Sequence, residues 1–292
     1  MFNNRPPGSD RVSPDPIRTG GNLLSMLVSD FDALRSLIAG RKHHLSVHAQ
    51  IDGTMPGWVY VDDQAARSAF AYNSEGWYLI GEAHNPPFTA WLRDFLKVHI
   101  LPNAHDRGEE SIPLHFYPDD WQEVAAEILP EQTYSVEYQQ YFRFTGSLYT
   151  PTQDLPAGCV LRPIDAALLA SQDRFPVPRL RDWAMHGFGD LDTFLAAGIG
   201  MCLEQDGEIV CWCMPDCATG DWCELGVHTR EGERRKGFAA HTVAATVAGC
   251  LANGFTHIGW HCWRGNDASA HLAQKVGFTY VLDHPAFLVQ TG

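Results

Sequence analysis

The sequence predicts a mixed α/β protein built in two halves, and three observations carry that prediction. Strand-like apolar runs alternate with helical segments along the chain after residue 21. A polar stretch with Pro and Gly, TGSLYTPTQDLPAG at 145–158, reads as a linker between the halves. In the second half, residues 223–254 run as a strand, a charged turn containing glycine, and a long apolar helix. The 292 residues, 45% hydrophobic and 19% charged, suffice for two modest globular domains.

Taken in order, residues 1–21 are rich in Pro, Gly, Asn and charge and are expected to be disordered. Residues 22–150 form the expected N-terminal domain. Leu24, Leu27, Val28, Phe31, Leu34 and Leu37 recur at helical spacing and predict an amphipathic helix over 23–38. Strands are expected at 44–51, 57–63, 67–74 and 76–83, then a helix over 86–100 with Pro in its first turn. After the linker, a second domain spans 155–292. It opens with a strand at 159–165 and short helices at 165–172 and 189–198, the latter with Asp190 as candidate cap. Residues 199–217 are a hairpin turning at Asp206-Gly207. A strand at 221–229, a helix at 237–253, a strand at 256–263, a helix at 266–276 and a strand at 279–290 follow.

Composition narrows the function. The formal charge of −14 disfavours nucleic-acid binding, which needs a basic face. It serves solubility first, and it also suits a cationic small substrate such as an amine. No run of 18 uncharged apolar residues is present, so no membrane association is expected, and the N-terminus has no apolar core of a secretory signal; the cytoplasm is the expected location. The eight cysteines, between Cys159 and Cys262, lack paired metal spacing and are read as buried free thiols, Cys211 and Cys213 included. His43, His44 and His48 have no matching cysteine or carboxylate pattern, so no metal site is expected. Oligomeric state is left open by the sequence.

The turn Arg234-Arg235-Lys236-Gly237-Phe238-Ala239 is the focal motif. The first N–H groups of a helix have no internal partner, and the helix dipole leaves partial positive charge there. A turn with little side-chain bulk lets a phosphate approach those amides. Gly237 and Ala239 fit that need, and the three cations add charge beside it. The turn has neither the Gly-x-x-x-x-Gly-Lys-Ser/Thr loop of nucleoside triphosphatases nor the Gly-x-Gly-x-x-Gly dinucleotide fingerprint. It does match Arg/Gln-x-x-Gly-x-Gly/Ala after a strand, as Arg234-x-x-Gly237-x-Ala239. Residues 266–278, NDASAHLAQKVGF, then match Asn-x-x-Ser/Ala-x-x-Leu-x-x-Lys-x-Gly-Phe in order and spacing.

Over 223–278 the chain resembles the GNAT superfamily of N-acetyltransferases. Phe-Leu-x-x-Gly-x-Gly-x-Cys and Glu-Leu-Gly-Val-x-Thr extend the likeness to a bacterial two-half GNAT subfamily, covering nearly the whole chain after residue 20; glycine N-acyltransferases share a similar two-half layout. The resemblance implies a mixed, mostly antiparallel sheet flanked by helices in the C-terminal half. It makes the smaller N-terminal sheet-and-helix domain a candidate degenerate copy that lacks the pyrophosphate loop. It implies acetyl-CoA as co-substrate and a small amine as acceptor. Val227, His228 and Thr229 would then line the pantetheine through backbone groups. Arg234, Arg235, Lys236, Gly237, Phe238 and Ala239 would hold the pyrophosphate, and Asn266 and Ser269 would lie near the coenzyme.

Acetyl transfer requires placement of the thioester, removal of a proton from the amine, and stabilisation of the oxyanion. Glu224, on the central strand, is the candidate base; a structural ion pair is the alternative for it. His228 is the rival base, otherwise a packing residue. Many relatives carry Tyr after the Leu of the Asn-x-x-Ser-x-x-Leu motif, where it protonates the thiolate. Ala273 stands there in this chain, so another group or solvent supplies that proton, or the domain only binds an acyl-CoA as a regulatory module. Trp212, Trp222, Trp260 and Trp263 are expected in the core or cleft wall, and Asp216 and Asp221 in a solvated loop.

Overall fold

The computed structural model describes residues 26–28, 32–63, 66–152, 154–171, 177–197 and 199–292. The tail expected to be disordered, 1–21, lies outside them. The chain divides into two compact units, one of residues up to 138 together with 285–292, the other of residues 139–284.

The first unit contains β1 (Met26–Val28), α1 (Asp32–Leu37), α2 (Leu45–Ile51), β2 (Gly57–Val61), β3 (Ser68–Asn73), β4 (Gly76–Gly81), α3 (Pro86–Phe95), α4 (Leu101–Asp106), β5 (Ser111–Tyr117) and α5 (Ala125–Ile128). β1 to β4 pair antiparallel in sequence order, and β5 lies parallel to β4. Two expectations are overturned here. The stretch 44–51 is a helix, not a strand. Its alternation of apolar and polar residues does not mark one buried face, because Leu45, Ser46, Val47, Ala49, Gln50 and Ile51 are all buried. Ser46 shares a hydrogen bond of 2.8 Å with the Tyr78 hydroxyl, which lets a polar side chain sit inside. The single helix expected over 23–38 is also replaced: among the described residues, Met26–Val28 pair as a strand with Val59–Val61, and Asp32–Leu37 are helical. The helix expected over 86–100 continues through a π-helical turn, Leu96–Ile100, into α4.

β6 (Tyr134–Phe144) passes from the first unit into the second, which holds β7 (Cys159–Pro163), α6 (Ala166–Ala170), α7 (Val177–Phe188), α8 (Leu191–Ala197), β8 (Met201–Gln205), β9 (Glu208–Thr219), β10 (Trp222–Thr229), α9 (Phe238–Ala252), β11 (His257–Trp263), α10 (Asp267–Lys275) and the first half of β12 (Phe278–Gln290), up to His284. β7, β8, β9 and β10 are antiparallel neighbours, β11 is parallel to β10, and β6 is antiparallel to β11. Asp206 and Gly207 both take positive φ at the β8–β9 turn, as a tight hairpin requires. Asp190 accepts from the Thr193 N–H at 2.7 Å and opens α8.

The order strand, helix, parallel strand therefore occurs twice, as β4–α3–β5 and as β10–α9–β11. The two helix starts differ. Asn85 caps α3 by accepting from the Phe88 N–H, and Pro86 and Pro87 have no N–H to offer an anion. α9 begins at Gly237 with no side-chain cap.

A bulge disturbs the β9–β10 pairing. Glu224 faces Cys217 and Leu225 faces Pro215, so Asp216 is the extra residue. Asp216 thus lies within β9, not in the solvated loop expected for it. α7 closes on it at Gly187, where a Cβ would stand 1.9 Å from the Asp216 carbonyl oxygen. Gly187→Ala is expected to lower the unfolding free energy by about 3 kcal/mol, measured by urea denaturation, because backbone on both sides must shift. An unchanged midpoint would refute this close approach.

Candidate active site

β10 delivers the chain to the turn before α9. Glu231–Glu233 form a 3₁₀ turn, Arg234 is extended, and Arg235 and Gly237 take φ of 64° and 84°. Left-handed residues flanking Lys236 bend the backbone so that successive N–H groups converge, which is the geometry of an anion nest. Space outside Gly237 is open: a Cβ there would meet nothing within 4 Å. Arg234 Nε donates to the Thr229 carbonyl at 3.4 Å. Lys236 is drawn to Glu233 at 2.7 Å. Phe238 points its ring into the core beside Leu203, Val210 and Cys211, so only its backbone can face a ligand, and Ala239 packs beside the same cluster. α9 is apolar on nearly every side and is anchored by Thr246, whose hydroxyl donates within 3.2 Å of the Cys213 carbonyl.

The second feature is a seam that opens. β10 and β11 register only at Trp222, Cys223 and Glu224, opposite His257, Ile258 and Gly259. Beyond that point Leu225–Thr229 stay paired to β9, and Trp260–Trp263 to β6. The facing edges of β10 and β11 are thus free to bond an extended ligand, as sheet edges do. Val227, His228 and Thr229 lie along this open edge.

Glu224 stands where the fork begins. Its Oε1 lies 2.5 Å from His261 Nδ1, and both side chains are nearly nine-tenths buried. The Tyr141 ring lies 4.8 Å from the His261 ring, and His284 meets it edge-on at 5.0 Å. Gly259 makes room for Tyr141, whose Cε2 is 3.1 Å from where a Cβ would be. Burial, with the Glu224 charge behind it, pushes the Tyr141 phenol well above its ordinary value. It stays protonated at working pH.

Farther along β10, His228 stacks on Trp212, its cross-strand partner, at 4.3 Å. Burial, then the charges of Arg179 and Arg234, push the imidazole down to about 4. It is a weak proton acceptor near neutral pH. Trp183 of α7 donates its indole N–H to Asp216, whose carboxylate covers Gly226; a Cβ at Gly226 would lie 2.3 Å from Asp216 Oδ1. The Arg179 guanidinium sits 5.6 Å from the Trp212 ring.

The remaining expected residues serve the protein directly. Asn266 caps α10 by accepting from the Ser269 N–H at 3.3 Å, and the Ser269 hydroxyl accepts from Trp260 Nε1 at 3.0 Å. Trp212 and Trp260 are buried. Ala273 is fully buried in the core. All eight cysteines are free thiols, seven buried and Cys159 half-buried. Among the described residues, no cluster of three or more His, Cys, Asp or Glu could hold a metal ion, and no helix is long and apolar enough to cross a membrane.

Sequence reading missed Tyr141 and His261, which only the sheet brings to Glu224, and could not place His284, which packs on His261. It also missed α7, although Val177, Leu180, Ala184, Gly187 and Phe188 are buried at helical spacing. Pro178 and the glycines near its end masked that signal.

A family model described as GNAT acetyltransferase matches residues 35–287. A Bacillus subtilis (strain 168) protein called uncharacterized N-acetyltransferase YdfB is 22% identical over 259 residues, covering 88% of this chain and 95% of its own. A GCN5-related N-acetyltransferase-like protein from Streptococcus suis 89/1591 superposes with a TM-score of 0.61 at 22% identity, over 88% of this chain and 97% of that one. A tandem GNAT protein from the clavulanic acid biosynthesis pathway gives 0.54 at 11% identity, over 92% and 98%. These likenesses establish a mixed, mostly antiparallel GNAT fold.

The His228 environment has a measurable consequence. Its folded value near 4 lies below the ordinary 6.5, so the unfolded chain binds the proton first as pH falls. His228 should contribute stability that is complete above pH about 6.5 and lost towards pH about 4. Its ring signals in NMR should hold their neutral positions at pH 5.5; a midpoint near 6.5 would refute the assignment.

Proposed function

The chain belongs to the GNAT acetyltransferase family, and on that premise we propose that it transfers an acetyl group from acetyl-CoA to the amine of a small molecule. The observation that carries this reading is the uncapped start of α9 at Gly237, adjoining a seam that opens between β10 and β11. The helix start suits a pyrophosphate, through the backbone N–H groups of 237–239 and the charges of Arg234, Arg235 and Lys236. The free edge at Val227, His228 and Thr229 suits an extended amide-bearing arm. Asn266 and Ser269 fix the start of α10 and border the coenzyme through it.

Bound there, the coenzyme supplies the activated acyl group. Glu224, at the fork, takes the proton from the amine. The nitrogen attacks the thioester carbonyl, the carbon–sulfur bond breaks, and the thiolate is protonated as the amide leaves. Backbone N–H groups at the open edge of β10 are the donors available to the oxyanion. With Ala273 sealed in the core, the thiolate takes its proton from solvent or from a group other than residue 273. That same residue favours a second reading, an acyl-CoA-binding regulatory module.

Isothermal titration with acetyl-CoA tests the cofactor site. Wild-type protein should bind, and an Arg234→Ala, Gly237→Glu variant should lose at least about tenfold in affinity, the double change removing one charge and filling the nest. Absence of wild-type binding would remove the acetyltransferase reading. Glu224→Gln should keep coenzyme binding and lower kcat about 10²- to 10⁴-fold in a thiol-release assay. Unchanged turnover would take Glu224 out of the mechanism.

A further inference from the structure

We propose that His261 is the positioning residue of the acyl transfer: its Nδ1–H holds one oxygen of Glu224 so that the other takes the proton from the amine. This rests on the acetyltransferase reading above and adds a residue to it.

The 2.5 Å contact between Glu224 Oε1 and His261 Nδ1 requires a proton between the two atoms. His261 Nε2 is sealed from solvent and has no hydrogen-bond partner among the described residues. A proton added at Nε2 would be a buried donor with nothing to bond, a costly arrangement. The tautomer that fits the contact therefore carries its proton on Nδ1, facing Glu224 Oε1, while the second imidazole nitrogen is closed off.

The ring cannot turn away readily. Tyr141 covers one side at 4.8 Å and His284 meets it edge-on at 5.0 Å. Register explains why the pair forms at all. Glu224 is the last residue of β10 opposite β11, its partner is Gly259, and His261 is two residues on, on the same face. The glycine leaves space into which Tyr141 leans, and Tyr141 in turn lies against the His261 ring. A carboxylate at a fork with no neighbour on one side would otherwise rotate freely, and a base that wanders loses rate. The imidazole replaces the missing strand neighbour as the group that holds it.

The test compares His261→Ala, His261→Asn and His261→Gln with wild type, by thiol release from acetyl-CoA with a panel of primary amines and by acetyl-CoA titration. His261→Ala should lower kcat about tenfold or more with KM for acetyl-CoA unchanged. His261→Asn, whose amide N–H can stand near the Nδ1 position, should recover most of that loss. His261→Gln, which projects its amide towards Nε2, should not. In wild type the Nδ1 proton should give a strongly downfield NMR signal that Glu224→Ala abolishes.

Full turnover by His261→Ala, or an Asn variant as slow as the Ala variant while still binding acetyl-CoA, would overturn the proposal alone. So would absence of the downfield proton, whatever the activity. Absence of thiol release by wild type would instead overturn the acyl-transfer reading, and this inference with it.

Discussion

Three residues of parallel pairing decide the character of the second unit. Trp222, Cys223 and Glu224 hold β10 to β11, and after them each strand follows its outer neighbour. A sheet that stayed closed would satisfy its own backbone and have nothing to offer. By parting there, it leaves an edge not paired to β11, fixes where the only carboxylate on that stretch of β10 must stand, and points the chain into the turn that opens α9. At the same level the extra residue Asp216 shifts the register on the β9 side of β10.

The supports of this arrangement are small residues placed where bulk would not fit. Gly187 lets α7 reach the Asp216 backbone, Gly226 lets the Asp216 side chain lie across β10, and Gly259 lets Tyr141 lie across β11. At Gly187 backbone meets backbone, and at Gly226 and Gly259 a side chain lies on the strand backbone. Trp183 then fastens Asp216 from the helix side through its indole N–H. His228 stacks on Trp212, and burial, then the charges of Arg179 and Arg234, hold its imidazole well below the ordinary value.

Much of this was legible in the residues, for reasons that differ between parts. The hairpin at Asp206-Gly207, the cap at Asp190 and the glycine before α9 declare themselves through local backbone chemistry, which neighbours in sequence determine. Stretch 44–51 misled because its alternation is local while its burial is not: Ser46 and Gln50 are inside only because Tyr78 and Asn73, distant in sequence, supply partners. Glu224 was visible as a carboxylate on the central strand. His261 and Tyr141 were not, since each is an ordinary strand residue until pairing brings it to Glu224. The bulge at Asp216 was equally hidden, because Pro215 and Asp216 look like the start of a loop.

The buried thiols acquire a meaning once a thioester is considered as a neighbour. Sulfur nucleophiles exchange readily with thioesters, and the reactive form is the thiolate. Burial pushes Cys202 up to about 12 and carries Cys213 well above its ordinary value, and the contact with Cys250, then burial, does the same for Cys223. A chain with eight cysteines around an acyl-transfer fold thus presents few competing acceptors of its own. Core packing alone thus holds these three thiols back from any thioester.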